Sequence, residues 1–180
     1  MRFLTSILRL SPSMLALTIG CTMTPPRPTP ATPRPPTAMH LLLRDHGYVG
    51  IPTRRLRSGH YQAAVDADGQ RLLLIVDSGA STSVLDNASA VRLGLRLRRS
   101  RARISGLGAP SQRALSATLE NVRIGALRLD SLPVVVLDLS HVNQSLQDEG
   151  IELADGVIGA DLLAQRGAVF DFTSGVLYLR

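Results

Sequence analysis

Residues 77–81, Asp-Ser-Gly-Ala-Ser, follow an unbroken apolar run from Leu72 to Val76. An unpaired carboxylate removed from water costs several kcal/mol, so a strand that delivers one to its buried end needs a reason. Asp, Ser and Gly are common turn formers, and a plain turn is one reading. The other is chemistry. Two carboxyls a few Å apart cannot both ionise cheaply and share a proton, so one can act as general base while the other acts as acid. Gly79 would let loop backbones approach closely, and Ala80 and Ser81 keep the turn slim. The chain carries the motif once. Asp138 in "VLDLS" and Asp171 in "FDFTS" lack the hydroxyl-glycine pair after them, and Asp161 reads as a helix-start residue.

Other chemistries find less support. His40, His46, His60 and His141 show no metal-ligand spacing and read as surface polar residues. There is no Gly-x-Ser-x-Gly elbow, phosphate loop or dinucleotide fingerprint. Asp66 and Asp68 beside Gly69 lack the later carboxylates of a calcium loop. No metal or cofactor is expected. All 20 basic residues are Arg and the net charge is +6. They are scattered, apart from the stretch Arg92 to Arg103, and not interleaved with aromatics, which argues against nucleic-acid binding.

The elements that must position Asp77 are mostly strands. Apolar residues make up 44% of the chain and aromatics 3%, so the core is aliphatic. Residues 60–66 and 70–76 flank Asp68-Gly69, a hairpin signal. Leu74 and Val76 should face opposite to Ile75 on a central strand. Asp86 or Asn87 caps a short helix over 87–93, with Gly94 just beyond its end. Strands are expected over 100–105 and 113–125, joined by a glycine-bearing link at 106–112. Residues 132–139 form a further β-branched strand, and 140–150 read as a loop with at most a helical turn. Residues 155–167 give a strand, a Gly and a two-turn helix, and the chain closes on a hairpin turning at 173–175.

"VDSGASTSVLD" resembles the active-site signature of retropepsin-like aspartic proteases, closest to the single-domain bacterial aspartyl-protease-like proteins. "DGVIGADLL" (155–163) resembles the apolar-apolar-Gly element that this family sets behind its catalytic loop, and "SGLGAP" (105–110) lies where the family has its flap. The resemblance spans about residues 58–180. It implies a mostly β, single-lobe acid-protease barrel with one or two short helices, acting as a homodimer on peptide bonds, with Asp77 from each copy as the catalytic pair. Ser78, where the family more often has Thr, would lock the two loops together. Val157, Ile158 and Gly159 would support the loop. Gly106, Leu107 and Gly108 would form a flap without an aromatic. Two rival readings remain: a non-catalytic peptide- or partner-binding module on the same fold, and an Arg-rich protein adhering to anionic lipid.

Ahead of the domain, Arg2 and Arg9 precede a short apolar run, residues 14–20, ending at Cys21, the only cysteine. The run is short for a membrane span. It resembles the lipobox of bacterial lipoproteins, with Thr18 where Leu is usual. Residues 22–40 hold a Pro/Thr tract that reads as an extended spacer. The expected organisation is an export and lipidation segment (1–21), a tether (22–40) and the protease domain (41–180), placed at the cell envelope and facing the periplasm.

Overall fold

The computed structural model describes residues 37–106, 109–148 and 154–180. Cys21, most of the tether and the expected flap tip, Leu107 and Gly108, lie outside the described residues. Helix α1 (Ala38–Asp45) comes first, capped by the Thr37 side chain, which accepts from the His40 N–H. Strands β1 (Val49–Arg55), β2 (Tyr61–Ala67) and β3 (Gln70–Val76) follow. Asp68 and Gly69 both have positive φ, 48° and 77°, and Ala67 pairs with Gln70. That is the two-residue turn whose twist matches that of its strands.

Next come β4 (Val84–Asp86), α2 (Asn87–Arg92), β5 (Arg98–Gly106), β6 (Ala109–Ile124) and β7 (Leu127–Leu137). Asp86 is the N-cap of α2, its carboxylate accepting from the Ala88 N–H, and Gly94 has a φ of 64° just past the helix end. The chain ends with α3 (Ser140–Asp148), β8 (Gly156–Ile158), α4 (Ala160–Gln165), β9 (Val169–Asp171) and β10 (Val176–Leu179). Pairing runs β2-β3-β8-β4-β7-β6 and returns to β2 through Val65 opposite Ile124, closing a six-stranded barrel. Closure leaves those strands no free edge. β1, β10 and β9 extend the sheet from β2, with Val49 to Pro52 antiparallel to Leu179 to Val176. The fold is retropepsin-like and mostly β, as expected.

Aliphatic residues fill the barrel: Leu72, Leu74, Leu85, Leu119, Ile124 and Ile158 are all buried. Ile75 faces the other way. It packs with Leu56 and Ala154 in a small separate cluster, with Val157 against it.

Two expectations change. The link expected over 106–112 is shorter than that, because β6 starts at Ala109 and Gly106 pairs with Ala109. Backbone ladder bonds carry the strand through a stretch whose Gly, Pro and Ser residues suggested a loop. Residues 140–148 form a helix where a loop was expected. The Asp138 carboxylate accepts from the Ser140 N–H at its start. Asn143 exchanges two hydrogen bonds with the backbone of Ala154, which docks the helix.

Leu74→Ala, in the main core, should cost about 2–5 kcal/mol, and Ile75→Ala, in the smaller cluster, should fall at the lower end of that range. Denaturant titration of both variants checks the order. Equal losses would mean that the two faces of β3 are equally well packed.

Candidate active site

Asp77 stands at the exit of β3. Leu74, Ile75 and Val76 run parallel to Gly156, Val157 and Ile158 of β8, and the Asp77 N–H continues the ladder by donating to the Ile158 carbonyl at 3.0 Å. The chain then turns. The Gly79 N–H donates to Asp77 Oδ1 at 2.8 Å, and the Ala80 N–H donates to the Asp77 carbonyl at 3.3 Å. An ideal Cβ at Gly79 would stand 3.1 Å from Asp77 Oδ1, so glycine lets the loop curl over its own carboxylate. Asp77 is half-buried, and Ser78, Gly79 and Ser81 are exposed. The carboxylate is held by backbone and open to solvent.

The second half of the site lies behind this loop. The Ala160 N–H donates to the Ala80 carbonyl at 2.7 Å. An ideal Cβ at Gly159 would lie 2.4 Å from the Thr82 carbonyl carbon, and one at Gly156 would lie 2.1 Å from the Val84 oxygen. Both positions need glycine because another backbone occupies the side-chain space. Ile158 is fully buried, and Val157 is half-buried opposite Ile75 of β3.

Asp161 does more than start a helix. Its Oδ2 accepts from the Thr82 hydroxyl (3.1 Å) and the Ser83 N–H (2.9 Å), and its Oδ1 accepts from the Ser83 hydroxyl (2.7 Å). The Ser83 oxygen in turn accepts from the Gly159 N–H at 3.1 Å. Burial pushes the Asp161 carboxyl up. The Ser83 N–H and hydroxyl, the Leu162 N–H and the Thr82 hydroxyl outweigh it and hold the group below the ordinary carboxylate range. Thr82 and Ser83 went unread in the sequence. Their only signal was a pair of hydroxyls between the loop and a three-residue buried strand.

A second unread network braces the base of β3. Asp155 Oδ2 accepts from the Leu73 N–H at 2.8 Å. Asp155 Oδ1 accepts from the Ser89 hydroxyl and Arg92 Nη2, each at 2.6 Å. Asp86 Oδ1 accepts from the Leu139 N–H at 3.0 Å, adding a tie beyond its expected cap. Asp171 is spent on the closing turn, accepting from the Thr173 and Ser174 N–H groups and the Ser174 hydroxyl. The His40 ring lies 3.3 Å from the Tyr178 hydroxyl and His46 Nδ1 lies 2.8 Å from the Leu42 carbonyl, so both have local structural partners. Of the expected flap, Gly106 lies at the end of β5, and Leu107 and Gly108 fall outside the described residues.

Asp161→Asn should destabilise the protein by about 1–2 kcal/mol at neutral pH, the scale of losing charge-assisted hydrogen bonds at a partly exposed site. The folded-state carboxyl titrates below its unfolded value. Its stabilisation is therefore fully present above about pH 4 and is lost as pH falls through the lowered folded value. Denaturant titrations of wild type and variant from neutral pH into acid should show the gap closing. A gap independent of pH would contradict the assignment.

The aspartyl protease family profile matches residues 63–162. No curated protein matches the chain. A retropepsin-like aspartic protease from Rickettsia conorii is 25% identical with a TM-score of 0.51, over 74% of this chain and 89% of that one. The EIAV protease, in complex with an inhibitor, is 22% identical with a TM-score of 0.46, over 62% of this chain and 91% of its own. The retroviral protease-like domain of Ddi1 from Leishmania major is 20% identical with a TM-score of 0.46, over 66% and 87% respectively. With the profile covering more than half of the 180 residues and a barrel shared with the rickettsial enzyme, the chain belongs to the aspartyl protease family, on its retropepsin-like side.

Proposed function

We propose that the protein is an aspartic endopeptidase assembled from two copies, each supplying Asp77. One observation carries this reading: Asp77 is presented on a solvent-facing loop, while Asp155, Asp161 and Asp171 are committed elsewhere. Asp161 holds Thr82 and Ser83, Asp155 holds Leu73, Ser89 and Arg92, and Asp171 closes a turn. The surface beside the loop suits a second copy. An apolar groove of about 430 Å³ is lined by Ser78, Val76, Tyr61, Ala164, Phe170 and Phe172. Tyr61, Phe170 and Phe172 pack against one another in edge-on and tilted contacts with centroids 4.6–5.6 Å apart. Phe172 is 71% exposed, an unusual cost for an aromatic in water.

In the assembled pair, one Asp77 is ionised and the other protonated. The ionised carboxylate takes a proton from a water as that water's oxygen bonds to the scissile carbonyl carbon. The protonated carboxyl donates to the carbonyl oxygen, which becomes the hydroxyl of a tetrahedral intermediate. Collapse restores the carbonyl, breaks the C–N bond and passes a proton to the leaving amine. The Ser78 hydroxyls, exposed beside each carboxylate, would tie the two loops together. Gly106 sits at the end of a hairpin suited to cover bound peptide and exclude water.

The site is reached from the cell envelope in this reading. Cys21, at the end of a short apolar run, becomes the lipidated attachment point, and the Pro/Thr tract holds the barrel away from the membrane. The lone cysteine and the composition of residues 22–40 support it. Cys21→Ala should abolish incorporation of radiolabelled palmitate and leave unprocessed precursor, with the barrel still folded. Failure of the unaltered protein to take up label would remove the anchor.

The enzymatic reading is tested by mixing. Asp77→Asn protein added to wild type should inhibit it, because mixed pairs keep a single ionisable carboxyl. Specific activity should fall on dilution below the dissociation constant of the pair. It should also follow a bell on the acidic side of neutrality, since only the singly protonated pair is competent. Full activity in Asp77→Asn alone, or activity per chain unchanged through a dilution series that yields monomer, would favour a non-catalytic binding module or another catalytic group.

A further inference from the structure

The pairing registers set four residues in one row across the outer face of the barrel. Val84 of β4 stands opposite Val135 of β7, Val135 opposite Ser116 of β6, and Ser116 opposite Arg98 of β5. Ser116 and Val135 are half-buried, while Ala117, Val134 and Val136 beside them belong to the core. Residues paired across strands point to the same face. Neighbouring strands lie about 4.8 Å apart, so the row spans about 14 Å along the sheet. Thr82, two residues before Val84, continues the row onto the loop that follows Asp77. A cleft of about 650 Å³ runs over it, lined by Thr82, Val135, Ser116, Arg98 and Arg96.

Charge is unevenly placed along this cleft. Arg96 and Arg98 are exposed, and among the described residues no carboxylate lies within ion-pair distance of either. Both line the cleft and Leu97 between them does not, in keeping with the alternation of an extended chain. Three carboxylates also line it. Asp161 is taken by Thr82 and Ser83, and Asp68 accepts from Asn121 Nδ2 at 2.7 Å. Glu120 is exposed, but it stands four residues along β6 from Ser116, about 13 Å from the rung that holds Arg98. One end of the cleft is therefore positive and open to solvent, and the other adjoins the loop that presents Asp77.

We propose that this cleft is an exosite for the peptide substrate, in which Arg96 and Arg98 hold an acidic side chain about four residues from the one that lies at Thr82. An extended peptide rises about 3.3 Å per residue, so four residues cover the row. A guanidinium offers a carboxylate a planar fork of donors, and it keeps its charge at any working pH. The site selects substrates by where their acidic residues fall, without touching the bond that is cut. Naming the ligand a substrate rests on the endopeptidase reading; the binding of an acidic peptide does not.

Isothermal titration of the full-length Asp77→Asn protein reads the binding without cleavage. The probes are end-blocked decapeptides with an apolar centre and two Glu at one end or the other, each beside a counterpart with Gln for Glu. One Glu peptide should bind saturably, and its Gln counterpart about tenfold more weakly. Arg96→Gln and Arg98→Gln, exposed changes that should leave the fold intact, should each weaken the Glu peptide about fivefold and leave the Gln peptide unchanged. Arg128→Gln, which alters an exposed arginine outside the cleft, should change neither. With Asp77 restored, the Arg96 and Arg98 changes should raise KM for the Glu peptide and leave kcat unaltered. No saturable binding, equal affinity for the Glu and Gln peptides, or binding unchanged in both cleft variants would overturn the proposal. So would an equal loss in Arg128→Gln, because net charge alone would then explain the binding. Saturable, arginine-dependent binding with no cleavage by the wild-type protein would support the site and count against the endopeptidase reading alone.

Discussion

The Gly159 backbone lies so close to Thr82 that a methyl group would stand 2.4 Å from the Thr82 carbonyl carbon. That contact joins two segments nearly eighty residues apart, and most of the site depends on it. It lets β8 lie parallel to β3, so that Asp77 finds the Ile158 carbonyl and Ala160 finds the Ala80 carbonyl. Two backbones at this separation leave polar groups with little access to water. Ser83 and Asp161 satisfy them, the hydroxyl taking the Gly159 N–H and the carboxylate taking the Ser83 N–H. The loop carrying Asp77 is thereby fixed by main chain and by the Ser83 and Asp161 side chains. Asp77 stays open to solvent while its surroundings are rigid, the combination that positioned acid-base chemistry requires.

The β2–β3 hairpin also sorts the surface. One face carries Tyr61 and Val76 into the apolar groove beside Ser78, and the other carries Gln62 and Leu73 to a surface shared with Arg54, Arg71 and Arg92. Period-two alternation gives a single seven-residue strand one apolar and one polar surface. Arg supplies every positive charge in the chain, and a guanidinium keeps its directional, bidentate donors in a way that an ammonium does not.

The hairpin at Asp68-Gly69, the cap at Asp86 and the glycine that follows β8 are legible from local signals, because turn geometry and helix ends are decided by a few adjacent residues. Asp77 stood out because a carboxylate at the end of a buried run is costly. The networks around it could not be read the same way. Asp161 reaches Ser83 across 78 positions, and Asp155 reaches Ser89 across 66. Neither residue's type nor its neighbours encode that partner. Helix α3 was missed for a related reason: its Ser, His, Asn and Gln residues have modest helix propensity, and its docking comes from Asn143 bonding Ala154. The start of β6 was missed because ladder bonds with β5 outweigh the loop-like composition of residues 109–112.

A half-site completed by a second copy is the central claim, and sedimentation with a transition-state mimic addresses it most directly. A statine-containing peptide offers one hydroxyl to be held between two carboxyls. Titrated into the protein during equilibrium sedimentation, it should drive monomer to dimer and saturate at one peptide per two chains. Saturation at one peptide per chain, with the protein remaining monomeric throughout, would contradict the account.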